Sequence, residues 1–325
     1  MILRNCILML LLICIRLEAD SLRVYMAGKA EISPDRPEGS VVLLSYTDSA
    51  LISLTGDPRF YRGIQLDLTA PAGFLAYRGH LASVIYNNLN NAPETGIADI
   101  QGQQLSFEPL AEKILNTWQI PLRDNHGLRS SPYVTIPTGV VPFSSFPVIF
   151  RLMPVIKGIS DELEKMVFQL TVKPVLGDEG IIRLKINYPE QLPGRPFTVL
   201  IDDEIVGNLK AELLLKEGEH HLVILSDDYR NQSRRFMVEK ARVMELLVEL
   251  QDPTPLLIFE SPEGAGIYVN NRHVANTNVP YPVEPGLHEV KFQMSNYSII
   301  RPITVQKGKT YKIALSVDIN ITEND

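Results

Sequence analysis

Cysteine is confined to Cys6 and Cys14, so from residue 15 onward the chain has no thiol, no disulfide and no thiolate for a metal. Secreted eukaryotic domains are commonly stapled by disulfides, whereas a cysteine-free exported chain of this size suits a bacterial periplasm or cell surface. Lys and Arg form no cluster or stripe, and the formal net charge is −7. That balance argues against nucleic acid or an anionic membrane face as a partner. A Gly-x-Ser-x-Gly elbow, a His-Glu-x-x-His pair, a phosphate-cradling glycine loop and a dinucleotide fingerprint are all missing. No apolar run reaches the roughly 20 residues that a membrane-spanning helix needs. These absences set the expectation of a protein that is not an enzyme, with no catalytic, cofactor-binding or metal site and no cofactor.

What is present starts with an export signal. Arg4 is followed by an unbroken apolar run from Ile7 to Ile15, and Leu17-Glu18-Ala19 offers a small residue before Asp20. This pattern predicts a signal peptide over residues 1–19 and a periplasmic or surface location, with no membrane span in the mature chain. Arg16 directly after the run leaves an uncleaved N-terminal anchor as the alternative. Ile13 is too bulky for Cys14 to read as a lipoprotein cysteine.

Beyond residue 20 the dominant period is two. Val41 to Tyr46, Gly63 to Leu68, Ala82 to Tyr86 and Val167 to Val172 read as strands, bounded by Pro, Gly, Asn and Asp and without regular strand–helix alternation. The fold class expected is all-β, mainly antiparallel β-sandwich domains with one or two short helices in the N-terminal domain. One helix is predicted over Leu110–Trp118, where Leu110, Ile114, Leu115 and Trp118 share a face between Pro109 and Pro121. A helical turn is predicted to start at Ser160, with Asp161 and Glu162 in its first turn. The polar stretches 87–96 and 125–142 read as long loops, where recognition usually sits. Gly177-Asp178-Glu179-Gly180 and Gln251-Asp252-Pro253-Thr254-Pro255 mark boundaries. They divide the mature chain into an N-terminal β-rich domain, 20–178, and two modules, 179–252 and 253–322.

The two modules echo each other about 68 residues apart. Val199-Leu200-Ile201-Asp202-Asp203-Glu204 aligns with Ile267-Tyr268-Val269-Asn270-Asn271-Arg272, Gly218-Glu219-His220 with Gly286-Leu287-His288, and Asp228-Tyr229 with Asn296-Tyr297. After one extra residue in the first copy, Phe236 to Lys240 meets Ile303 to Lys307. The second copy opens on Ser261-Pro262-Glu263-Gly264-Ala265 and continues through Glu284-Pro285-Gly286-Leu287-His288, Asn296-Tyr297 and Lys307-Gly308-Lys309-Thr310. In this order, from Thr254 to Asp318, it resembles the PEGA family of small β-rich modules. The first copy is a degenerate relative: it keeps Glu217-Gly218-Glu219-His220 and Tyr229, inserts residues after Pro189-Glu190, and has Lys240-Ala241 in place of Lys-Gly. The family commonly has glycine where this chain has Asp203, Asn271, Asp228 and Asn296, residue types that tolerate the positive φ a hairpin turn demands.

Several constellations admit a functional role beside a plainer one. His220, His221 and His288 could chelate a metal, but His220 and His288 sit at equivalent positions of separate modules, and bonding to turn backbone is the expectation. Asp202, Asp203, Glu204, Asp227 and Asp228 could hold calcium or form a carboxylate pair; lacking the spacing of a calcium loop, they read as solvated turns. Tyr229 and Tyr297 could stack on a glycan, yet turn or core packing is expected for both, and core packing for Trp118. Ser144-Ser145 has no recognisable base nearby. The PEGA resemblance implies a stalk or extracytoplasmic interaction unit of a bacterial envelope protein. The partner expected is an envelope protein or a cell-wall or surface glycan. Two alternatives remain: an exported glycan hydrolase with its site in the N-terminal domain, and a subunit of a large periplasmic assembly.

Overall fold

The computed structural model describes residues 20–274 and 278–316. The expected signal with both cysteines, and the C-terminal end of the second module, lie outside these residues. Two compact units meet between Asp178 and Glu179.

The N-terminal unit is built from ten strands: β1 (Asp20–Ile32), β2 (Ser40–Leu44), β3 (Asp48–Leu54), β4 (Tyr61–Thr69), β5 (Leu81–Asn87), β6 (Gly96–Pro109), β7 (Leu115–Pro121), β8 (Val134–Thr135), β9 (Val148–Pro154) and β10 (Phe168–Leu176). They form a closed barrel, β1-β3-β9-β5-β6, and a five-stranded sheet, β2-β10-β4-β7-β8. Pairing is antiparallel apart from β1 with β3 and β7 with β8. Because side chains alternate across a strand, the barrel strands serve two cores at once. Leu51, Val84, Tyr86 and Ile149 pack together with Val24, Met26 and Ile100 in one cluster. Their neighbours Ala50, Ile52, Ile85, Val148 and Phe150 pack with Leu66, Leu68, Ile120, Phe168 and Leu170 of the five-stranded sheet. Strands buried on both faces explain unbroken apolar runs such as Val84-Ile85-Tyr86.

The helix expected over Leu110–Trp118 is absent: its second half is strand β7. Asn116, only 6% exposed, accepts from the Ala111 backbone N–H at 3.1 Å and donates to the Lys113 carbonyl at 3.2 Å, closing a turn where the helix would begin. From there the period is two, with Asn116, Trp118 and Ile120 buried while Ile114 and Leu115 are exposed. The helical spacing of four apolar residues was coincidental, and pairing with β4 along its length decided the conformation. The turn at Ser160 forms as expected: α1 (Asp161–Glu164) is capped by the Ser160 hydroxyl, which accepts from the Leu163 N–H at 3.3 Å.

The second unit runs through β11 (Glu179–Asn187), β12 (Thr198–Ile201), β13 (Glu204–Ile205), β14 (Leu213–Lys216), β15 (Gly218–Leu225), β16 (Gln232–Val238) and β17 (Val243–Glu249). Seven more follow: β18 (Leu256–Glu260), β19 (Gly266–Val269), β20 (Arg272–Val274), β21 (Tyr281–Pro282), β22 (Gly286–Met294), β23 (Tyr297–Val305) and β24 (Thr310–Ala314). The first seven form sheets β14-β11-β17 and β13-β12-β15-β16; the next seven form β21-β18-β24 and β20-β19-β22-β23. Strand for strand the order is the same, down to the parallel pairs β11 with β17 and β18 with β24. Each set closes on a separate apolar core, one around Ile201, Leu222 and Val248, the other around Phe259, Val269 and Phe292.

The turn before the last strand of each set needs a left-handed residue. Gly308 holds φ +72° there, and Ala241 holds +54° at the matching place in the first set. A Cβ on Gly308 would meet nothing closer than the Arg230 Cα at 4.0 Å, so only backbone strain opposes it. Gly308→Ala is therefore expected to cost about 1 kcal/mol. Equilibrium denaturation of the variant against wild type measures it.

Candidate functional site

The histidines singled out by the sequence do not converge. Each closes a latch inside its own set of strands. At the β12–β13 turn Asp202 and Asp203 have φ +49° and +67°; at the β19–β20 turn Asn270 and Asn271 have +47° and +65°. Two successive positive φ values make the two-residue hairpin turn that suits the twist of paired strands. Asp202 Oδ1 accepts from the His221 backbone N–H at 2.9 Å, and Oδ2 lies 2.5 Å from His220 Nδ1. His220 Nε2 reaches the Lys216 carbonyl at 2.8 Å. In the second set Asn270 Oδ1 accepts from the Glu289 N–H at 2.9 Å, Asn270 Nδ2 donates to His288 Nδ1 at 2.8 Å, and His288 Nε2 donates to the Glu284 carbonyl at 2.6 Å. The imidazoles bond to turn backbone, as their position at a strand start implied.

One latch is ionic and the other neutral, because a carboxylate accepts from Nδ1 where an amide N–H donates to it. Burial by itself pushes the His220 imidazole down. The hydrogen bonds to Asp202 and to the Lys216 carbonyl, with the Asp202 charge, outweigh it and hold the ring above its ordinary value of 6.5. The His221 backbone N–H and then the His220 ring hold Asp202 below its ordinary 3.8, against a smaller effect of burial. A raised imidazole contributes stability that is full below pH 6.5 and lost as pH climbs through the raised value. A lowered carboxyl contributes above pH 3.8 and loses it as pH falls through the lowered value. The ionic latch is thus strongest between about pH 4 and 6.5. Denaturation midpoints of wild type and Asp202→Asn, taken from pH 5 to 9, should converge as pH rises; a constant gap would mean that the ion pair contributes nothing.

The acidic set does not converge either. Asp202 lies beside His220 and His221 of β15, while Asp227 and Asp228 follow the C-terminal end of that strand, roughly 20 Å away at strand rise. His221 Nε2 lies 2.6 Å from the Ser233 hydroxyl. Both residues are exposed on an open sheet, and Asp202 accepts from the backbone of His221 and not from its ring. Among the described residues, no three of His, Cys, Asp or Glu gather as a metal site.

The two tyrosines part company. Tyr229 is 2% exposed; its hydroxyl donates to the Leu192 carbonyl at 2.5 Å and accepts from the Arg195 N–H at 3.0 Å, pinning the inserted loop after Pro189. Tyr297 is 68% exposed. It opens β23 directly opposite Met294 across a two-residue turn, whereas the matching loop of the first set is longer and folds its tyrosine inward. The left-handed residue of that tight turn is Ser295, at φ +49°; Asn296 and Asp228 do not have positive φ.

The proline-rich link between the sets is held more firmly than its composition implied. Arg230 donates to the Thr310 hydroxyl at 2.8 Å and to the Thr254 carbonyl at 3.1 Å, and its backbone N–H donates to Gln251 O at 2.9 Å. Lys307 donates to the Asp227 carbonyl. Asp252, bonded first by the Thr254 hydroxyl and then by the Thr254 backbone N–H, is kept below the usual carboxylate range, with the Arg230 and Lys307 charges assisting against burial.

With the turns, the latch and the strand order in place, the family can be stated. Residues 255–320 match the PEGA domain. The C-terminal module is a PEGA domain. A cavity of about 560 Å³ in it is lined by Asn270, Arg272, Tyr281, Glu284 and His288 among others. The first strand set has Glu204 and Lys216 where the PEGA domain has Arg272 and Glu284, so the charges there are exchanged while the latch persists. No curated protein matches the chain. Among solved structures, the Bacillus anthracis TIE protein aligns at 10% identity and a TM-score of 0.22, over 91% of this chain and 57% of its own. The chain therefore spans little more than half of that protein's length. No helix among the described residues is long and apolar enough to cross a membrane.

In the N-terminal unit the sequence singled out only Trp118, expected in the core, and Ser144-Ser145, with no base beside them. The structure brings out Tyr133, 79% exposed beside β8. It borders a cleft of about 150 Å³ with Glu108, Lys113, Asn116, Thr117 and Thr135. Lys113 Nζ lies 5.8 Å from its ring centroid and donates to the Pro132 carbonyl at 2.5 Å. The sequence signals for this cleft were the long polar stretch 125–142 and an aromatic with turn formers before it, Ser130, Ser131 and Pro132.

Proposed function

We propose that this is a non-enzymatic, exported cell-envelope protein, in which a recognition domain at the N-terminal end is carried by two PEGA-type modules. The first strand set, 179–252, is read as a degenerate PEGA module. The observation that carries the proposal is the repeated strand order with its repeated latch: turn geometry and core are kept, while surface charge is exchanged freely between copies. Such a pattern suits a scaffold more than a pair of active sites. Its location in the periplasm or on the surface follows from the export signal. A hydrolase reading draws less support. Glycoside hydrolysis ordinarily takes two carboxyl groups flanking the substrate, and the lining of the cleft beside Tyr133 includes one, Glu108.

The mature chain, immobilised and exposed to envelope extracts and to isolated sacculi, is expected to retain an envelope protein or wall material. Retention no greater than that of an unrelated β protein would end the proposal.

A further inference from the structure

We infer that the outward face of the sheet β2-β10-β4-β7-β8, centred on Asp67 and bordered by Tyr133, is a binding platform for a neutral glycan. The inference rests on the reading of this protein as an envelope binding protein and names the chemistry of its ligand.

Alternation sends Leu66, Leu68, Ile120 and Leu170 into the core and leaves polar residues outside at the centre of the sheet, with Val41 and Leu43 of β2 and Leu115 of β7 exposed at its margins. The polar residues are interlocked instead of separately solvated. Gln65 Nε2 lies 3.0 Å from both oxygens of Asp67, the Thr117 hydroxyl donates to Oδ1 at 2.8 Å, and Lys173 Nζ donates to Oδ2 at 3.2 Å. Gln119 Nε2 extends the chain to Gln65 Oε1 at 2.9 Å. Register places these residues side by side, Thr171–Asp67–Thr117 in one row and Lys173–Gln65–Gln119 in the next. Asp67 is 9% exposed although it lies on an outer face, because its neighbours close around it.

Three properties of this face select the ligand. Asp67 and Lys173 cancel in charge, so neither an anion nor a cation is favoured. The network engages one of the three donors of Lys173 and one of the three hydrogen-bonding sites of Thr117, leaving donors and acceptors in fixed directions. Sugar hydroxyls, which donate and accept at once, use both, and fixed side chains lose little entropy on binding. Thr117 also lines the cleft that Tyr133 borders, and the apolar face and polar tip of that exposed ring suit the C–H face and hydroxyls of a pyranose. Leu128 bounds the platform at the far end, where it lies over Gly63; a Cβ there would come within 2.8 Å of Leu128 Cδ1 and 2.6 Å of Ile120 O.

The test applies the full mature chain to a printed panel of neutral oligosaccharides of differing linkage and N-acetylation. Retention of at least one glycan is expected, weakened tenfold or more by Tyr133→Ala and by Gln65→Ala. Tyr133 is exposed, so its variant should melt with wild type even if Gln65→Ala is destabilised. No retained glycan, or retention equal in Tyr133→Ala and wild type, overturns the inference. A protein captured from envelope extracts by a chain that binds no glycan would overturn this platform while leaving the proposed function standing.

Discussion

Tyr229→Ala is expected to destabilise the first C-terminal module by about 3–5 kcal/mol, enough to leave it largely unfolded. The ring is nearly inaccessible and packs edge-on against Phe197 at 6.0 Å and tilted against Tyr188 at 6.3 Å. Alanine removes that packing and also abandons the Leu192 carbonyl and the Arg195 N–H. Tyr229→Phe keeps the ring and loses only the hydroxyl, at about 1–3 kcal/mol. The contrast with Tyr297 is the sharper check. That residue occupies the aligned position in the PEGA domain but is exposed, so Tyr297→Ala should change stability by less than about 0.5 kcal/mol. Urea denaturation followed by circular dichroism measures all three, and equal costs at the two tyrosines would refute the different burial assigned to them.

Trp118→Ala should cost the N-terminal unit a similar amount, about 3–5 kcal/mol. Trp118 is 4% exposed and lies against Phe150, with ring centroids 5.6 Å apart, where the five-stranded sheet meets the barrel. On a helix, Ile114 and Leu115 would share its buried face and their truncation would be comparably damaging. On strand β7 they are 46% and 50% exposed, and Ile114→Ala and Leu115→Ala should each cost less than about 1 kcal/mol. Circular dichroism is the suitable probe, since the variant removes the only tryptophan of the chain.

The PEGA domain was legible because its signals are local. Asn270-Asn271 and Asp202-Asp203 mark turns by their tolerance of positive φ, Gly308 marks another, and the histidine at the start of a strand marks the latch. Tyr297 departs from the expected packing for a reason of the same scale: a two-residue turn replaces the longer loop that folds Tyr229 inward, while the strands that follow keep the same face, with Val238 and Val305 both buried. The helix over Leu110–Trp118 failed differently. Four apolar residues at helical spacing also contain a period-two subset, and only the neighbouring strand β4 could choose between the two readings.

The N-terminal platform lay further out of reach. Gln65, Asp67, Thr117, Gln119 and Lys173 are unremarked polar positions spread over more than a hundred residues, each an ordinary outward residue of a strand. They become a network only when β10, β4 and β7 are laid side by side in register. By itself the sequence determined the all-β class, the first hairpin turn of each strand set and the PEGA character of the C-terminal module, because strand period and left-handed turn residues act within a few positions. The tertiary structure alone decided the closed barrel, the strand identity of β7, the exposure of Tyr297 and the polar face around Asp67. Those depend on which distant strands pair, and in what register, and that is settled by how the two cores close together.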